Sequence, residues 1–193
     1  DGGGFQIQDA AFSNVVSSNY IGTDATGTYA VPNGTIAGLP LANGRGITIY
    51  DSADNVVELN LVSGNLFAGI VLGGFDGNLT VSGNTIRSNY VGTDATGLLP
   101  IPNGIPNVPD IGFGIAMAAV PTSVVTGNTI GGPSPFDGNV VGFNTTAGIA
   151  GDGPGVSGNT ITHNFIGVGP TGTPMPNGTL GVLLRNYANC NRI

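Results

Sequence analysis

Few residues of this 193-residue chain could carry acid–base chemistry. Two carboxylates come close together in the sequence YDSADN, at Asp51 and Asp54. A glycoside hydrolase needs two or three carboxylates in one groove as acid and base, and a polysaccharide lyase needs an Arg or Lys base. The sequence YDSADN is equally typical of a turn. Nowhere else in the chain does the spacing of the residues predict a comparable group of catalytic carboxylates. The sequence therefore predicts no catalytic residues and no enzyme activity.

Two further aspartates recur at equivalent places. Asp24 and Asp94 both lie in the sequence GTDATG, and Gly169 or Pro170 takes that place in a third, shorter copy. An aspartate in a turn accepts hydrogen bonds from nearby backbone amides, and this is the role predicted for both. The same oxygens, with Thr hydroxyls and carbonyls, could also hold Ca²⁺, although one carboxylate per loop is few for a tight site. No other cofactor is predicted.

The histidine and the cysteine each stand alone. His163 lies in TITHN without a second His or Cys beside it, so a solvated strand residue is predicted rather than a metal ligand. Cys190 can form no internal disulfide because the chain has one cysteine. We predict a small buried hydrophobe at Cys190, the alternative being an intermolecular link.

Two surface roles are also suggested by the sequence. Four Asn-x-Thr sequons would accept glycans if the source cell glycosylates its surface proteins. They begin at Asn33, Asn78, Asn144 and Asn177. Tyr20, Tyr90 and Phe165 hold equivalent positions in a long repeat, and an aromatic stack along one face would suit a sugar. Structural cover is the more common role of such rings and is the role predicted.

The composition excludes several kinds of partner. The chain has no Lys, only four Arg and a net charge of -7. Neutralising phosphates takes clustered Lys and Arg, so neither nucleic acid nor anionic lipid is predicted as a partner. No apolar run reaches the roughly 18 residues of a membrane span, so no membrane insertion is predicted. Because only 8% of residues are charged, repulsion between copies is weak and self-association is favoured.

The chain repeats itself at two scales. Residues 19–34, 89–104 and 164–178 read NYIGTDATGTYAVPNG, NYVGTDATGLLPIPNG and NFIGVGPTGTPMPNG. Their offsets of 70 and 75 residues predict about three solenoid turns between copies. A shorter unit, Gly-[Ile/Val]-x-x, begins at Gly46, Gly69, Gly114, Gly148 and Gly181.

Nothing in the chain has a helical period. Apolar residues alternate over three to five positions, as at Ile47 and Ile49, before Gly, Asn, Asp or Pro ends the run. Strands this short are stable only when equivalent strands stack turn upon turn. The 21 asparagines often recur five residues apart, as at Asn84 and Asn89. We expect them to form side-chain ladders and to take left-handed backbone angles at the corners.

These patterns predict an all-β fold, a single right-handed parallel β-helix, or β-solenoid, that spans residues 1–193 as one domain. Each turn is expected to take roughly 20–25 residues, with loops inserted. The phrases SGNTI, GNVVGFN and IGTDATGT…PNG resemble the repeats of secreted bacterial proteins with right-handed parallel β-helix folds. The resemblance covers nearly the whole chain and implies export. It implies no single activity, because such proteins include polysaccharide-active enzymes, adhesins, phage tailspikes and passive surface rods.

The two ends of the sequence share one phase of the repeat. The segments Gly4–Val16 and Gly181–Ile193 align without gaps, so that Asn14 matches Asn191. Neither end carries a helical cap, so the chain is either part of a longer repeat protein or a subunit that stacks head to tail into a filament. The predicted contact joins Phe5, Ile7, Val15 and Val16 at one end to Val182, Leu184 and Ile193 at the other.

The predicted function is therefore structural: an extracellular or cell-surface rod whose partner is a second copy of itself. The alternative is a carbohydrate-binding or carbohydrate-active β-helix module, resembling a lyase or hydrolase, or an adhesin, with a polysaccharide as partner. An Asp pair or an Asp–Arg pair converging on one groove would favour the alternative. A smooth groove and self-complementary ends would favour the rod.

Overall fold

Short strands arranged in four parallel sheets make up the fold. The computed structural model describes residues 3–34, 44–74 and 77–193. Sheet A contains β1 (Phe5–Ile7), β4 (Arg45–Tyr50), β7 (Ala68–Gly74), β11 (Phe113–Ala119), β15 (Ala147–Asp152) and β19 (Leu180–Arg185). Sheet B contains β8 (Thr80–Ser82), β12 (Val124–Thr126) and β16 (Val156–Ser157).

The other two sheets follow along each turn of the chain. Sheet C contains β2 (Val15–Ser17), β5 (Val56–Glu58), β9 (Thr85–Arg87), β13 (Thr129–Gly131) and β17 (Thr160–Thr162). Sheet D contains β3 (Tyr20–Ile21), β6 (Leu61–Val62), β10 (Tyr90–Val91), β14 (Val140–Val141) and β18 (Phe165–Ile166). A 3₁₀ turn, Pro135–Asp137, lies between β13 and β14.

Equivalent strands of successive turns pair with each other in parallel. We call one circuit of the chain a coil, so that coils 1 to 6 begin at the six strands of sheet A in chain order. The predicted right-handed parallel β-helix is confirmed. The stretch from Ile47 to Ile70, which are in register, takes 23 residues, within the predicted length of a turn. The equivalent step from Ile70 to Ile115 takes 45 because loops are inserted.

The number of coils between the long repeats was predicted wrongly. Tyr20, Tyr90 and Phe165 lie in coils 1, 3 and 5, so each offset spans two coils rather than three. Insertions account for the difference, because they lengthen some coils well beyond the 23-residue minimum.

The interior is filled by columns of identical or similar side chains. Ile47, Ile70, Ile115 and Ile149 stack in register in sheet A and are fully buried. Burying one such side chain contributes about 1.5–3 kcal/mol. Short strands thus gain their stability from the coils on either side, as the repeat pattern predicted.

Glycine begins each of the short sequence units because two coils approach closely there. A Cβ added to Gly46, Gly69 or Gly114 would lie 2.6–2.7 Å from the carbonyl oxygen of the equivalent glycine in the next coil. Any side chain would therefore push neighbouring coils apart, which explains the repeated Gly-[Ile/Val] pair.

Asparagine side chains form three ladders along the rod in the described part of the chain. Ladder 1 contains Asn14, Asn55, Asn84, Asn128, Asn159 and Asn191. Ladder 2 contains Asn19, Asn60, Asn89, Asn139 and Asn164. Ladder 3 contains Asn33, Asn65, Asn103, Asn144 and Asn177.

Asn84 illustrates how a rung is held. Its Nδ2 donates to Asn128 Oδ1 at 2.9 Å and to the carbonyl oxygens of Ser52 and Ser82 at 3.1 Å. Its Oδ1 accepts from the backbone N–H and the Nδ2 of Asn55 at 2.9 and 3.0 Å. The side chain is fully buried, so each ladder saturates polar groups that would otherwise be orphaned at a corner.

The left-handed residue at these corners is not the asparagine. At many corners it is the residue just before the ladder asparagine, for example Leu59 at φ 57°, Gly83 at φ 67° and His163 at φ 56°. The asparagines themselves keep ordinary backbone angles, because their side chains must point along the rod to reach the next rung. The prediction of left-handed asparagine was therefore wrong, while the predicted ladders are confirmed.

Replacing a central rung should cost far more stability than replacing a terminal one. We expect Asn84→Ala to lower the free energy of unfolding by about 2–4 kcal/mol, because it leaves buried donors and acceptors without partners. Asn14→Ala, at the exposed end of the same ladder, should cost roughly 1 kcal/mol. Urea unfolding of both variants measures the difference, and equal losses would contradict a stabilising role for the ladder.

Candidate functional site

The GTDATG loops are closed hairpins that project from the end of sheet D. In the first loop, the backbone N–H of Asp24 donates to the carbonyl of Tyr29 at 2.9 Å, and Thr23 bridges Ala30. In the second loop, the N–H of Asp94 donates to the carbonyl of Leu99 at 2.8 Å. The two hairpins therefore have the same backbone geometry.

Both aspartate side chains bind their own loop. Asp24 Oδ1 accepts from the N–H groups of Thr28 and Tyr29 at 2.9 Å, and its Oδ2 accepts from the Thr26 hydroxyl at 2.5 Å. Asp94 Oδ1 accepts from the N–H groups of Leu98 and Leu99 at 3.1 and 3.0 Å. The predicted turn role is confirmed, and Ca²⁺ binding at these carboxylates stays a prediction.

These hydrogen bonds change how readily the carboxyls take up a proton. The hydroxyl of Thr26 and then the N–H of Tyr29 hold the pKa of Asp24 well below its usual range. Burial raises the pKa of Asp94, but hydrogen bonds from Leu99, Thr96 and Leu98 together outweigh it, so its net pKa is also lowered. Both groups thus favour a charged, closed loop at neutral pH.

The loops of alternate coils contact each other. The N–H of Ala95 in coil 3 donates to the carbonyl of Gly27 in coil 1 at 2.9 Å, across coil 2, which has only a short corner at that place. The third loop has the same closure with Gly169 at the position of the aspartate, since Gly169 N–H donates to Thr173 at 2.8 Å. The first two loops therefore lie against each other beside sheet D.

An open groove runs along the outer face of sheet D. Its floor is a column of residues in register, which are Tyr20, Leu61, Tyr90, Val140 and Phe165. The groove has a volume of about 590 Å³. Ala95 and Pro170 of the loops line one side, and Leu59, Ser88 and Phe136 line the other. We call this feature the aromatic groove.

The rings in the groove pack against the protein on one side and are exposed to solvent to different degrees on the other. Gly97 lies against the ring of Tyr90, where an added Cβ would come within 3.0–3.2 Å of ring atoms. Tyr20 remains 51% exposed and Phe136 is 92% exposed, whereas Tyr90 and Phe165 are half-buried. The predicted role as structural cover accounts for the buried edges of these rings but not for their exposed faces.

The sequence repeats identified the three aromatic residues but gave no indication that Leu59 and Phe136 also line the groove. Leu59 precedes a ladder asparagine, and Phe136 lies in an insertion that has no counterpart in other coils. The signal that could have found Phe136 is PSPF, a proline-rich interruption between GNTI and GNVV that places an aromatic residue on a turn.

A second cluster brings an Asp–Arg pair to a small cavity on the outer face of sheet A. Arg185 lies 2.7 Å from Asp110 and 2.8 Å from Asp152. Asp152 also accepts from Asn186 at 2.7 Å. The cavity of about 190 Å³ is lined by these charged groups together with Phe67 and Phe113.

This cluster is poorly suited to acid–base chemistry. The hydrogen bond from Arg185 to Asp110, and then the one to Asp152, raise the pKa of the guanidinium despite partial burial. The two carboxylates therefore favour the protonated form of Arg185, which is the form that a base does not use. The other candidate pair, Asp51 and Asp54, sits at corners with φ 43° and 56°, and Asp51 accepts from the N–H of Thr80.

The side chains that could bind a soft metal are dispersed. His163 is exposed, and its Nδ1 lies 2.8 Å from the carbonyl oxygen of Gly132. Cys190 is exposed, so its predicted burial was wrong; it occupies a left-handed corner position at φ 54° rather than a strand. Met117 and Met175 are fully buried at separate places. The described residues contain no group of three or more His, Cys, Asp or Glu that could hold a metal ion.

Three of the four sequon asparagines are rungs of ladder 3. Asn144 is fully buried, and its Nδ2 donates to Asn177 Oδ1 at 3.1 Å. Asn33 donates to Asn65 at 2.8 Å, and Thr35 of its sequon lies outside the described residues. Asn78 is exposed in a turn at φ 66°. Glycosylation stays a prediction, and the geometry favours Asn78.

The apolar residues predicted to meet at the ends occupy matching columns. Phe5 and Val182 are the first and last members of one column of sheet A, and Ile7 and Leu184 are those of another. Thr160 bridges Arg192, so Ile193 continues the column that begins at Val16. Ile193 is 70% exposed, and Val15 is exposed on the outer face.

Acid should weaken the fold through the two loop aspartates. Because their folded pKa values lie below the usual value, they contribute stability above about pH 4 and lose it as the pH falls further. We expect the unfolding free energy of the D24N/D94N variant to change less between pH 6 and pH 3 than that of the wild type. Urea unfolding at both pH values measures this.

The control for that experiment is Asp9→Asn, which removes one carboxylate of the same kind at an exposed position of coil 1. An acid dependence in D24N/D94N equal to that of the wild type would show that the loop carboxylates do not contribute.

No helix in the described residues has the length and apolarity needed to cross a membrane. No curated protein and no solved structure matches the chain. A family model does match it, over residues 2–178, and the description of that family is periplasmic copper-binding protein (NosD). Because the match extends over most of the chain and the fold is a parallel β-helix throughout its described part, the chain belongs to the NosD family.

Proposed function

We propose that this protein is a structural β-solenoid rod that acts outside the cytoplasm and associates head to tail with further copies of itself. The single observation that carries this proposal is the direction of the asparagine ladders. In each ladder, the Nδ2 of one asparagine donates to the Oδ1 of the asparagine in the next coil, and in ladders 1 and 2 the backbone N–H does so as well, as Asn14 does to Asn55.

This direction makes the two ends of ladder 1 complementary. Asn14 Oδ1 accepts no hydrogen bond from the described residues, whereas Asn191 uses its Nδ2 only toward the carbonyl of Val156, at 3.0 Å. A second copy placed on coil 6 would bring its Asn14 acceptor above the donors of Asn191. The reverse orientation would set donor against donor, so only a head-to-tail contact is favoured.

The apolar columns support the same contact. Stacking places Phe5 over Val182, Ile7 over Leu184, and Val16 over Ile193. The edges of sheets A and C would also gain parallel backbone partners. Among the described residues, coil 6 contributes β19 to sheet A and bridges at Asn189 and Arg192, which would face the second copy.

A location outside the cytoplasm is supported by the family description, which names the periplasm. The composition agrees with that setting. Asparagine, glycine and threonine take the place of charged residues at the corners, and the net charge of -7 gives no affinity for nucleic acid.

The copper named in the family description does not enter the proposal. The chain has one His, one Cys and two Met, and both methionines are fully buried. Copper sites need several imidazole or sulfur ligands that converge. His163 follows β17, whereas Cys190 lies at the corner before sheet C of coil 6, so these two donors flank opposite ends of that sheet.

Catalysis is likewise left out of the proposed function. Arg185 is held between Asp110 and Asp152, and the aspartates of the two GTDATG loops are occupied by backbone amides and threonine hydroxyls. None of these groups combines a free proton-transfer atom with an open groove, as acid–base catalysis requires.

A charge placed on the end coil should block association. We expect the purified 193-residue chain to form rods that lengthen with concentration, and Ile193→Lys to weaken association at least tenfold, since about 1.4 kcal/mol of lost contact corresponds to that factor. Sedimentation velocity and negative-stain microscopy across a concentration series measure this.

The matched control is Leu99→Lys, which introduces the same charge at an exposed apolar residue on the flank of the rod. It should associate as the wild type does. A wild-type chain that stays monomeric at high concentration would refute the head-to-tail contact.

A further inference from the structure

The aromatic groove is not explained by a purely structural role. Its residues do not stabilise the rod through their exposed faces, and a scaffold gains nothing from leaving rings open to water. The groove floor alternates along the rod: Tyr20, Tyr90 and Phe165 in coils 1, 3 and 5 project outward, while Leu61 and Val140 in coils 2 and 4 are buried between them.

We infer that the aromatic groove is a binding site for a linear, neutral polysaccharide that lies parallel to the rod axis. This inference goes beyond the proposed structural function and does not depend on head-to-tail association. Its first support is the spacing of the rings. Coils stack about 4.8 Å apart, so rings on alternate coils repeat every 9.6 Å or so.

That repeat suits a sugar chain better than a peptide strand. An extended peptide repeats about every 6.7 Å for two residues, so its side chains would fall out of step with the rings. Two pyranose units of an extended β-1,4-linked chain cover nearly the same length as two coils. Successive apolar sugar faces could therefore stack on Tyr20, Tyr90 and Phe165 in turn.

The charge of the groove is the second support. None of the residues that line it is charged. The molecule as a whole has a charge of -7, which disfavours uronic-acid or sulfated chains. A neutral glycan meets neither repulsion nor an unpaired buried charge in this groove.

The third support is that the site is formed in advance. Gly97 packs on the ring of Tyr90, and Gly27 comes close to the ring of Tyr20, so both rings are held without a ligand. The hydroxyls of these two tyrosines have no hydrogen-bond partner among the described residues. They are placed to bond sugar hydroxyls beside the stacking faces, as in sites that combine apolar walls with a few polar groups.

Binding can be measured directly with defined sugars. We expect soluble hexasaccharides of β-1,4-linked glucose or β-1,4-linked N-acetylglucosamine to bind the 193-residue chain in isothermal titration. Tyr90→Ala should weaken binding roughly tenfold through loss of one stacking partner. Phe136→Ala should weaken it as well, and because this side chain is 92% exposed, that variant leaves the packing of the rod intact.

The matched control is Tyr187→Ala, which removes an aromatic ring that is 86% exposed outside the groove and should leave the affinity unchanged. Three outcomes would overturn the inference: no binding of either hexasaccharide at millimolar concentration, wild-type affinity in both Tyr90→Ala and Phe136→Ala, or binding of polygalacturonate or an amphipathic peptide in place of the neutral sugars. Since binding is measured on dilute rods, its failure would leave the proposed association untouched.

Discussion

The whole rod depends on hydrogen bonds between coils at a fixed phase. Sheet D strands have only two residues, and none of the four sheets pairs strands of the same coil. Every strand is therefore stable only if its neighbours above and below present their amides in register. Ladders 1, 2 and 3 enforce that register, because a buried asparagine such as Asn89 loses several hydrogen bonds if one coil slips.

This constraint separates the positions that must repeat from those that are free to vary. Ladder asparagines, the close-approach glycines and inward isoleucines must recur in successive coils. Segments that leave the rod at a corner are free of the constraint, and insertions such as the GTDATG loops and the turn Pro135–Asp137 occur there. The aromatic groove lies between these two insertions, so the site arises from departures from the repeat rather than from the repeat itself.

The division between repeated and variable positions also explains why a chain can belong to a family without sharing the ligand that the family description names. The β-helix requires Asn, Gly and branched apolar residues at set places, and it requires neither histidine nor cysteine anywhere. A chain can thus match the NosD family over residues 2–178 and still keep its one His and one Cys at opposite ends of sheet C. Members of the family share the rod-like fold, whereas ligand binding depends on the side chains that each chain carries on that fold.

The sequence alone determined the β-helix, the ladders, the aspartate-closed loops and the common phase of Asn14 and Asn191, because each coil repeats the same local environment and so leaves the same local signal. Only the tertiary structure decided which residue takes the left-handed angle, how many coils separate the long repeats, and that Cys190 is exposed. It alone joined Arg185 to Asp110, 75 residues away, and Phe136 to Tyr90. Insertions of unequal length lengthen some coils more than others. The number of residues between two positions therefore does not tell how many coils separate them, and contacts between coils cannot be deduced from the sequence spacing.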